Sequence, residues 1–270
     1  MDDPRTLCFE SEADLLDIKA THSACKGMDG VFHLASLCLG HCQDDPRKGY
    51  DINVTGTFNI LEASGVNDVK RVMCASSSSI YGNAVYTPMD EAHPFMNQNF
   101  YGATKIAGEA IVNAFHHTHG LDYLNFRFMN VYGPRQDYEG VYVAVIMKVI
   151  DRIIQGRPPI IYGDGSQAFD FVFVEDVCRS LLLGMESDLT TESYNISSGN
   201  QTSIHALTVM ISELLGSDLP FEYRDQDDRG LVVNRVGSTE KAAKQLRFKT
   251  ATELKDGIRE VISWRTKSHH

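Results

Sequence analysis

Short apolar runs alternate along this chain with longer stretches in which apolar positions recur every three or four residues. Residues 30–35 (Gly-Val-Phe-His-Leu-Ala), 69–75 and 123–128 read as buried strands. Residues 50–64 carry Ile52, Phe58, Ile60, Leu61 and Ala63 on a helical period, and residues 104–118 carry Ile106, Ala110, Ile111, Ala114 and Phe115. This βαβα alternation predicts a parallel sheet covered on both faces, with ligands beyond the carboxyl ends of the strands, where His33, Ser77 and Asn130 fall. After Asn130 the pattern changes. A helix is expected over 143–155, stopped by Gly156-Arg-Pro-Pro159, then a strand over 160–162 before the turn Gly163-Asp-Gly165. An apolar run over 169–174 precedes Asp176, a candidate cap for a helix reaching Met185. A strand over 193–198 and amphipathic helices over 204–215 and 252–264 complete the pattern.

The chain has 270 residues, 43% of them hydrophobic, enough for a large core. Its 25 basic and 36 acidic side chains leave a net charge of −11, which argues against a nucleic acid or an anionic membrane as the main partner. No stretch is apolar enough to span a bilayer, and no signal peptide is expected from its first residues. The six cysteines, at 8, 25, 38, 42, 74 and 178, form no paired framework. Cys74 and Cys178 lie in apolar runs and are expected to be buried thiols, which points to a reducing, cytoplasmic setting. Cys38-x-x-His41-Cys42 is an incomplete ligand set for zinc, so no metal site is expected.

The chemistry concentrates at Tyr101-Gly-Ala-Thr-Lys105. A tyrosine four residues before a lysine on a helix places both polar heads on one face, and an ammonium beside a phenol lowers its pKa. Such a phenol exchanges protons near neutral pH, as oxidation of a sugar hydroxyl requires. The spacing alone is common. Its weight comes from Ser76-Ser77-Ser78-Ser79, at the end of a strand upstream, which offers a hydroxyl for the same substrate oxygen.

Together these stretches resemble the extended short-chain dehydrogenases/reductases, in the nucleotide-sugar epimerase and dehydratase group. The matching segments are Val31-Phe-His-Leu-Ala35, Asn53-Val-Thr-Gly-Thr57, 75–82, Tyr101 to Lys105, Arg127-Phe-Met-Asn-Val-Tyr-Gly-Pro-Arg135, Gly163-Asp-Gly165, Asp170-Phe-Val-Phe-Val174 and Trp264, in the family's order. The resemblance implies a Rossmann-like doubly wound α/β fold over 1–131 and 166–200, with a smaller α+β substrate lobe over 132–165 and 201–266. It implies NAD as cofactor and a nucleotide sugar as substrate. Tyr101 would be the acid/base, Lys105 its pKa modulator and ribose ligand, and Ser77 the partner of the reacting hydroxyl. Asp14, Leu15, Leu34, Ala35, Ser36, Asn53 and Phe128 would meet the cofactor. Ser78, Tyr81, Asn130, Arg135 and Arg229 would meet the substrate. Homodimers built on helices such as 53–64 and 104–118 are also implied.

Three departures qualify the match. The family opens with a strand and G-x-x-G-x-x-G, whose backbone approaches the cofactor pyrophosphate. This chain begins Met1-Asp-Asp-Pro-Arg5 and reaches the adenine-contact motif by Asp14, so it is expected to bind NAD poorly. Many relatives also carry arginines at positions held here by Phe169 and Asp228, with Arg135, Arg229 and Arg235 as candidate replacements. Finally, Ser78-Ser79 stand where the dehydratases carry Asp-Glu, which disfavours water elimination. The expected activity is epimerisation at C4. The alternatives are a reductase or dehydrogenase of a sugar or other carbonyl compound, and a truncated, non-catalytic relative.

Overall fold

The computed structural model describes residues 13–137, 144–225 and 234–267. Its strands are β1 (Gly30–His33), β2 (Arg71–Ser77), β3 (Asp122–Phe128), β4 (Asn130–Tyr132), β5 (Ile160–Tyr162), β6 (Ala168–Phe169), β7 (Phe171–Phe173), β8 (Glu192–Ile196), β9 (Thr202–Ser203), β10 (Glu222–Arg224) and β11 (Asn234–Arg235). Its helices are α1 (Ile18–Cys25), α2 (Leu39–Asp44), α3 (Pro46–Tyr50), α4 (Gly56–Val66), α5 (Phe100–His119), α6 (Val145–Ile154), α7 (Val174–Glu186), α8 (Ile204–Leu215), α9 (Glu240–Gln245) and α10 (Leu254–Lys267).

The main sheet is parallel throughout, in the order β1-β2-β3-β8. Its strands alternate between two cores, as the pleat requires. Val72, Cys74 and Tyr123 pack with Leu61, Val112 and Phe115 of α4 and α5. Met73, Leu124 and Phe126 pack with Val177 and Leu181 of α7 on the other face. Both faces are therefore covered, which is why the strands read as near-continuous apolar runs rather than alternating ones. A third core joins α6, α8 and α10 around Tyr132, Phe171 and Phe173. Small sheets flank it: β5 with β10, β4 with β7, and β6 between β9 and β11.

Several elements differ locally from the pattern-based reading. The segment 50–64 is not one regular helix. A π-helical turn over Asp51–Thr55 precedes α4, and it buries the polar Asn53. Helix α5 starts earlier than expected because Asn99 caps it, accepting from the Gly102 N–H at 2.8 Å. Asp176 does not cap α7. It is buried in the first turn and accepts instead from the Ala251 and Thr252 N–H groups, tying the chain before α10 to α7. Cys74 is buried as expected, whereas Cys178 is exposed because it faces outward on α7.

Asp170 holds the junction that leads to the site. It is fully buried, and its carboxylate accepts from the Ser198 N–H and hydroxyl and from the Gly199 N–H. Its backbone carbonyl accepts from Asn130, and its own N–H donates to the Arg235 carbonyl. One residue thus pins β4, the loop after β8 and β11 together.

Candidate active site

Tyr101 lies in the first turn of α5, and its approach to β2 depends on its neighbour. A Cβ added at Gly102 would stand 2.6 Å from the Ser79 carbonyl oxygen, so only glycine lets the helix come this close to the strand end. The phenol of Tyr101 lies beside the side chains of Ser77 and Ser36. Ser77 also caps the short 3₁₀ turn Ser78–Tyr81, accepting from the Ser79 N–H at 3.1 Å. Burial raises the Tyr101 pKa, and the Ser77 and Ser36 hydroxyls oppose that rise.

Lys105 lies one turn further along α5, on the same face as Tyr101. Its ammonium donates to the Ala75 carbonyl at 2.9 Å and lies 5.6 Å from the Tyr101 ring centroid. Burial brings Lys105 itself down to about 8.

Asn53 holds the surrounding backbone. Its Oδ1 accepts from the Leu37 N–H at 2.7 Å, and its Nδ2 donates to the Leu37 carbonyl and to Thr104 Oγ1, each at 3.1 Å. Thr104 in turn donates to the Tyr101 carbonyl at 2.8 Å. The loop after β1 is thereby locked to the start of α5. His33 is satisfied in place: Thr57 Oγ1 donates to the Asn53 carbonyl, so His33 Nε2 is the donor to Thr57 at 2.8 Å. Burial, with the Lys105 charge adding to it, lowers its pKa to about 4 and keeps the ring neutral.

A cleft of about 720 Å³ opens at the carboxyl ends of β2 and β3, within the usual range for a small-molecule site. Ser77, Tyr101, Phe128 and Asn130 line it, with Cys38 on one side and Lys148 of α6 on the other. Asn130 Nδ2 donates to the Asp170 carbonyl at 3.1 Å, which fixes the amide at the rim. Leu34 and Ala35 are exposed just beyond β1. Asp14 turns the chain by accepting from the Leu16 N–H, and Leu15 rests against Gly56 of α4.

Other expected site residues fall elsewhere. Tyr81 is not a pocket residue: it is wholly buried, donates to Asn195 Oδ1 at 2.7 Å and accepts from Arg127 Nη1 at 2.9 Å. Its hydrophobic ring and paired hydroxyl suit the core. Arg135 is exposed, with φ of 67°, and does not line the cleft. Arg229 lies outside the described residues. Ser78 is occupied by Arg235, whose Nη1 donates to its Oγ at 3.2 Å. Arg235 stands directly opposite Phe169 in the β6–β11 register, across from the position where many relatives carry arginine.

Pattern reading missed a polar network under the strand ends. Arg127 makes a two-pronged ion pair with Glu109, Nε to Oε1 at 3.0 Å and Nη2 to Oε2 at 2.7 Å. Ser76 donates to the same carboxylate, which takes up its only O–H donor. The only sequence signal was a charged residue inside a strand and another four residues beyond Lys105. No cluster of three or more metal-ligating side chains occurs among the described residues, and no described helix is long and apolar enough to cross a membrane.

The family model for the NAD dependent epimerase/dehydratase family matches residues 4–197. The chain belongs to this family. It is 31% identical over 241 residues to a UDP-glucose 4-epimerase of Mycolicibacterium smegmatis, covering 88% of this chain and 76% of that one. A UDP-N-acetylglucosamine 4-epimerase from Methanobrevibacter ruminantium M1, solved with UDP-N-acetylmuramic acid, superposes with a TM-score of 0.91 at 32% identity, covering 96% of this chain and 83% of that one. MoeE5, solved with UDP-glucose and NAD, superposes with a TM-score of 0.89 at 31% identity, covering 97% and 86%. The parallel Rossmann-like sheet and the NAD-dependent family assignment follow from these matches. The side chains present fit the nicotinamide half of that cofactor. The Lys105 ammonium has three N–H donors and gives one to Ala75, leaving others for a diol such as a ribose.

Proposed function

We propose that this chain epimerises a nucleotide sugar at C4 through a transient 4-keto sugar. The observation that carries the reading is Tyr101 held against Ser77 at the mouth of the cleft, with Lys105 behind its ring. NAD supplies reversible hydride acceptance when bound, with Lys105, Asn53, the 34–36 loop and Phe128 as the residues that would hold it. Tyr101 takes the proton of the C4 hydroxyl and later returns it. Ser77 hydrogen-bonds the same oxygen, steadying it as alkoxide and as carbonyl. Cleft walls from Phe128 and Asn130 leave the keto sugar room to present its other face.

Two observations favour this over dehydration. Ser78 is engaged by Arg235, and Ser78 and Ser79 carry hydroxyls rather than carboxylates, so neither position offers a base for a carbon-bound proton. Matched relatives include a dehydratase and a decarboxylase as well as epimerases, which makes the product the deciding evidence. The proposal includes a cytoplasmic homodimer, supported by Phe58 and Val66 left exposed on α4. The test is incubation of the protein and its Tyr101→Phe variant with NAD⁺ and a nucleotide-sugar panel, resolving the C4 epimers. Retained turnover in the variant, or net NADH release in place of epimer, defeats the proposal.

A further inference from the structure

Arg235, bonded to Ser78 beside the cleft, is a buried charge that has no charge to meet. It is 8% exposed, and a buried guanidinium is costly to hold without an anion. Nη1 bonds the neutral Ser78 hydroxyl. Nε is buried and has no hydrogen-bond partner. Among the described residues no carboxylate forms an ion pair with Arg235, and Nη2 has no partner there. The free groups are Nε and Nη2, the edge of a guanidinium that presents two parallel N–H groups to a carboxylate. Burial depresses the arginine to about 10, opposed by attraction to Tyr101, which places the cation within electrostatic reach of the acid/base.

We infer that Arg235 recognises an acidic substituent on the sugar, so that the substrate is a nucleotide hexuronic acid rather than a neutral hexose. The inference rests on the C4-epimerase reading above. With the C4 hydroxyl at Tyr101 and Ser77, the C6 substituent lies two bonds along the ring skeleton from C4. The diphosphate, attached through C1, lies across the ring. Arg235 touches Ser78, the residue next to Ser77, and of the substituents near C4 only the one at C6 can carry a carboxylate. Its strand is held there independently: the Arg235 carbonyl accepts from the Asp170 N–H at 2.9 Å, and β11 pairs with β6. Phe169, across the register, supplies no competing cation.

The test is calorimetric titration of the full chain, with saturating NAD⁺, by UDP-glucuronate, UDP-glucose and UDP. The expected result is UDP-glucuronate binding about 30-fold tighter than UDP-glucose, the scale of a charge-assisted pair. In Arg235→Gln that ratio falls to within about threefold of unity, and Arg235→Lys, with a point charge and no fork, retains part of it. Thermal unfolding of each variant checks its fold; the ratio in the unaltered protein stands without them. Equal affinity for the two sugars in the unaltered protein overturns the inference, as does undetectable UDP-glucuronate binding. Loss of UDP affinity in Arg235→Gln equal to the loss for UDP-glucuronate also overturns it, by assigning the guanidinium to the diphosphate. Product analysis separates the two readings. Tight uronate binding without C4 inversion leaves Arg235 assigned and removes the epimerase, whereas C4 inversion with a ratio of one does the reverse.

Discussion

Lys105 gives its ammonium to the main-chain carbonyl of Ala75 at 2.9 Å, one turn beyond the tyrosine that reaches Ser77. The carbonyl belongs to β2 and the lysine to α5, so the bond stitches the helix to the strand end that carries the serines. It places a cation 5.6 Å from the centroid of the Tyr101 ring.

That placement sets a pH limit. Burial brings Lys105 to about 8, below its ordinary 10.5, so the native protein loses this charge as pH rises through 8. Turnover is expected to fall on the alkaline side with a midpoint near 8. Lys105→Met is expected to lower kcat by about 100-fold, the lower end for a residue supporting proton transfer, and to abolish that limb. A pH–rate profile from 6 to 10 on both proteins checks this; an unchanged alkaline limb in the variant refutes the assignment.

Ser76 and Ser77 are adjacent but face opposite sides of β2. Ser77→Ala removes the hydroxyl at Tyr101 and is expected to cost about 100-fold in kcat, as for loss of one donor to a developing oxyanion. Ser76→Ala removes a bond to Glu109 and is expected to act on stability, by about 1 kcal/mol. Steady-state kinetics beside urea unfolding separates the two, and equal kinetic losses would contradict the geometry.

Arg127 and Glu109 form a buried pair, both side chains less than a tenth exposed. Glu109→Ala leaves the guanidinium with Tyr81 and a backbone carbonyl only, and is expected to destabilise by about 3–5 kcal/mol. Urea denaturation measures it. A loss under about 1 kcal/mol would mean that water reaches the pair.

His33 makes stability fall in acid. Its folded pKa is about 4 against an ordinary 6.5, so between those values the unfolded chain binds the extra proton. Stability from this group is fully present above about pH 6.5 and is lost as pH falls toward 4, by up to about 3 kcal/mol. His33→Gln is expected to flatten the curve of unfolding free energy against pH in that window. An identical slope in both proteins would show that His33 titrates alike in the folded and unfolded chain.

Hydrophobic period and punctuation were enough to read the parallel sheet, the position of α8 and the ordered motifs that mark the family, because buried strands and amphipathic helices are written in local spacing. The Tyr101–Ser77 meeting was legible for the same reason: a strand end and a helix start recur in a fixed order. What each polar side chain does with its hydrogen bonds was not local. Tyr81 reads as a pocket residue until Asn195 and Arg127, far along the chain, are seen to enclose it. Ser76 is indistinguishable from Ser77 in sequence, and only the pleat sends one to Glu109 and the other to Tyr101. Lys105 has the spacing to share a face with Tyr101, but that its ammonium also donates to the Ala75 carbonyl is a contact between α5 and β2. Arg235 and Phe169 are 66 positions apart and face one another only because β11 pairs with β6. Sequence spacing determines the elements and their order; long-range packing decides which buried charge finds a partner and which is left for a ligand.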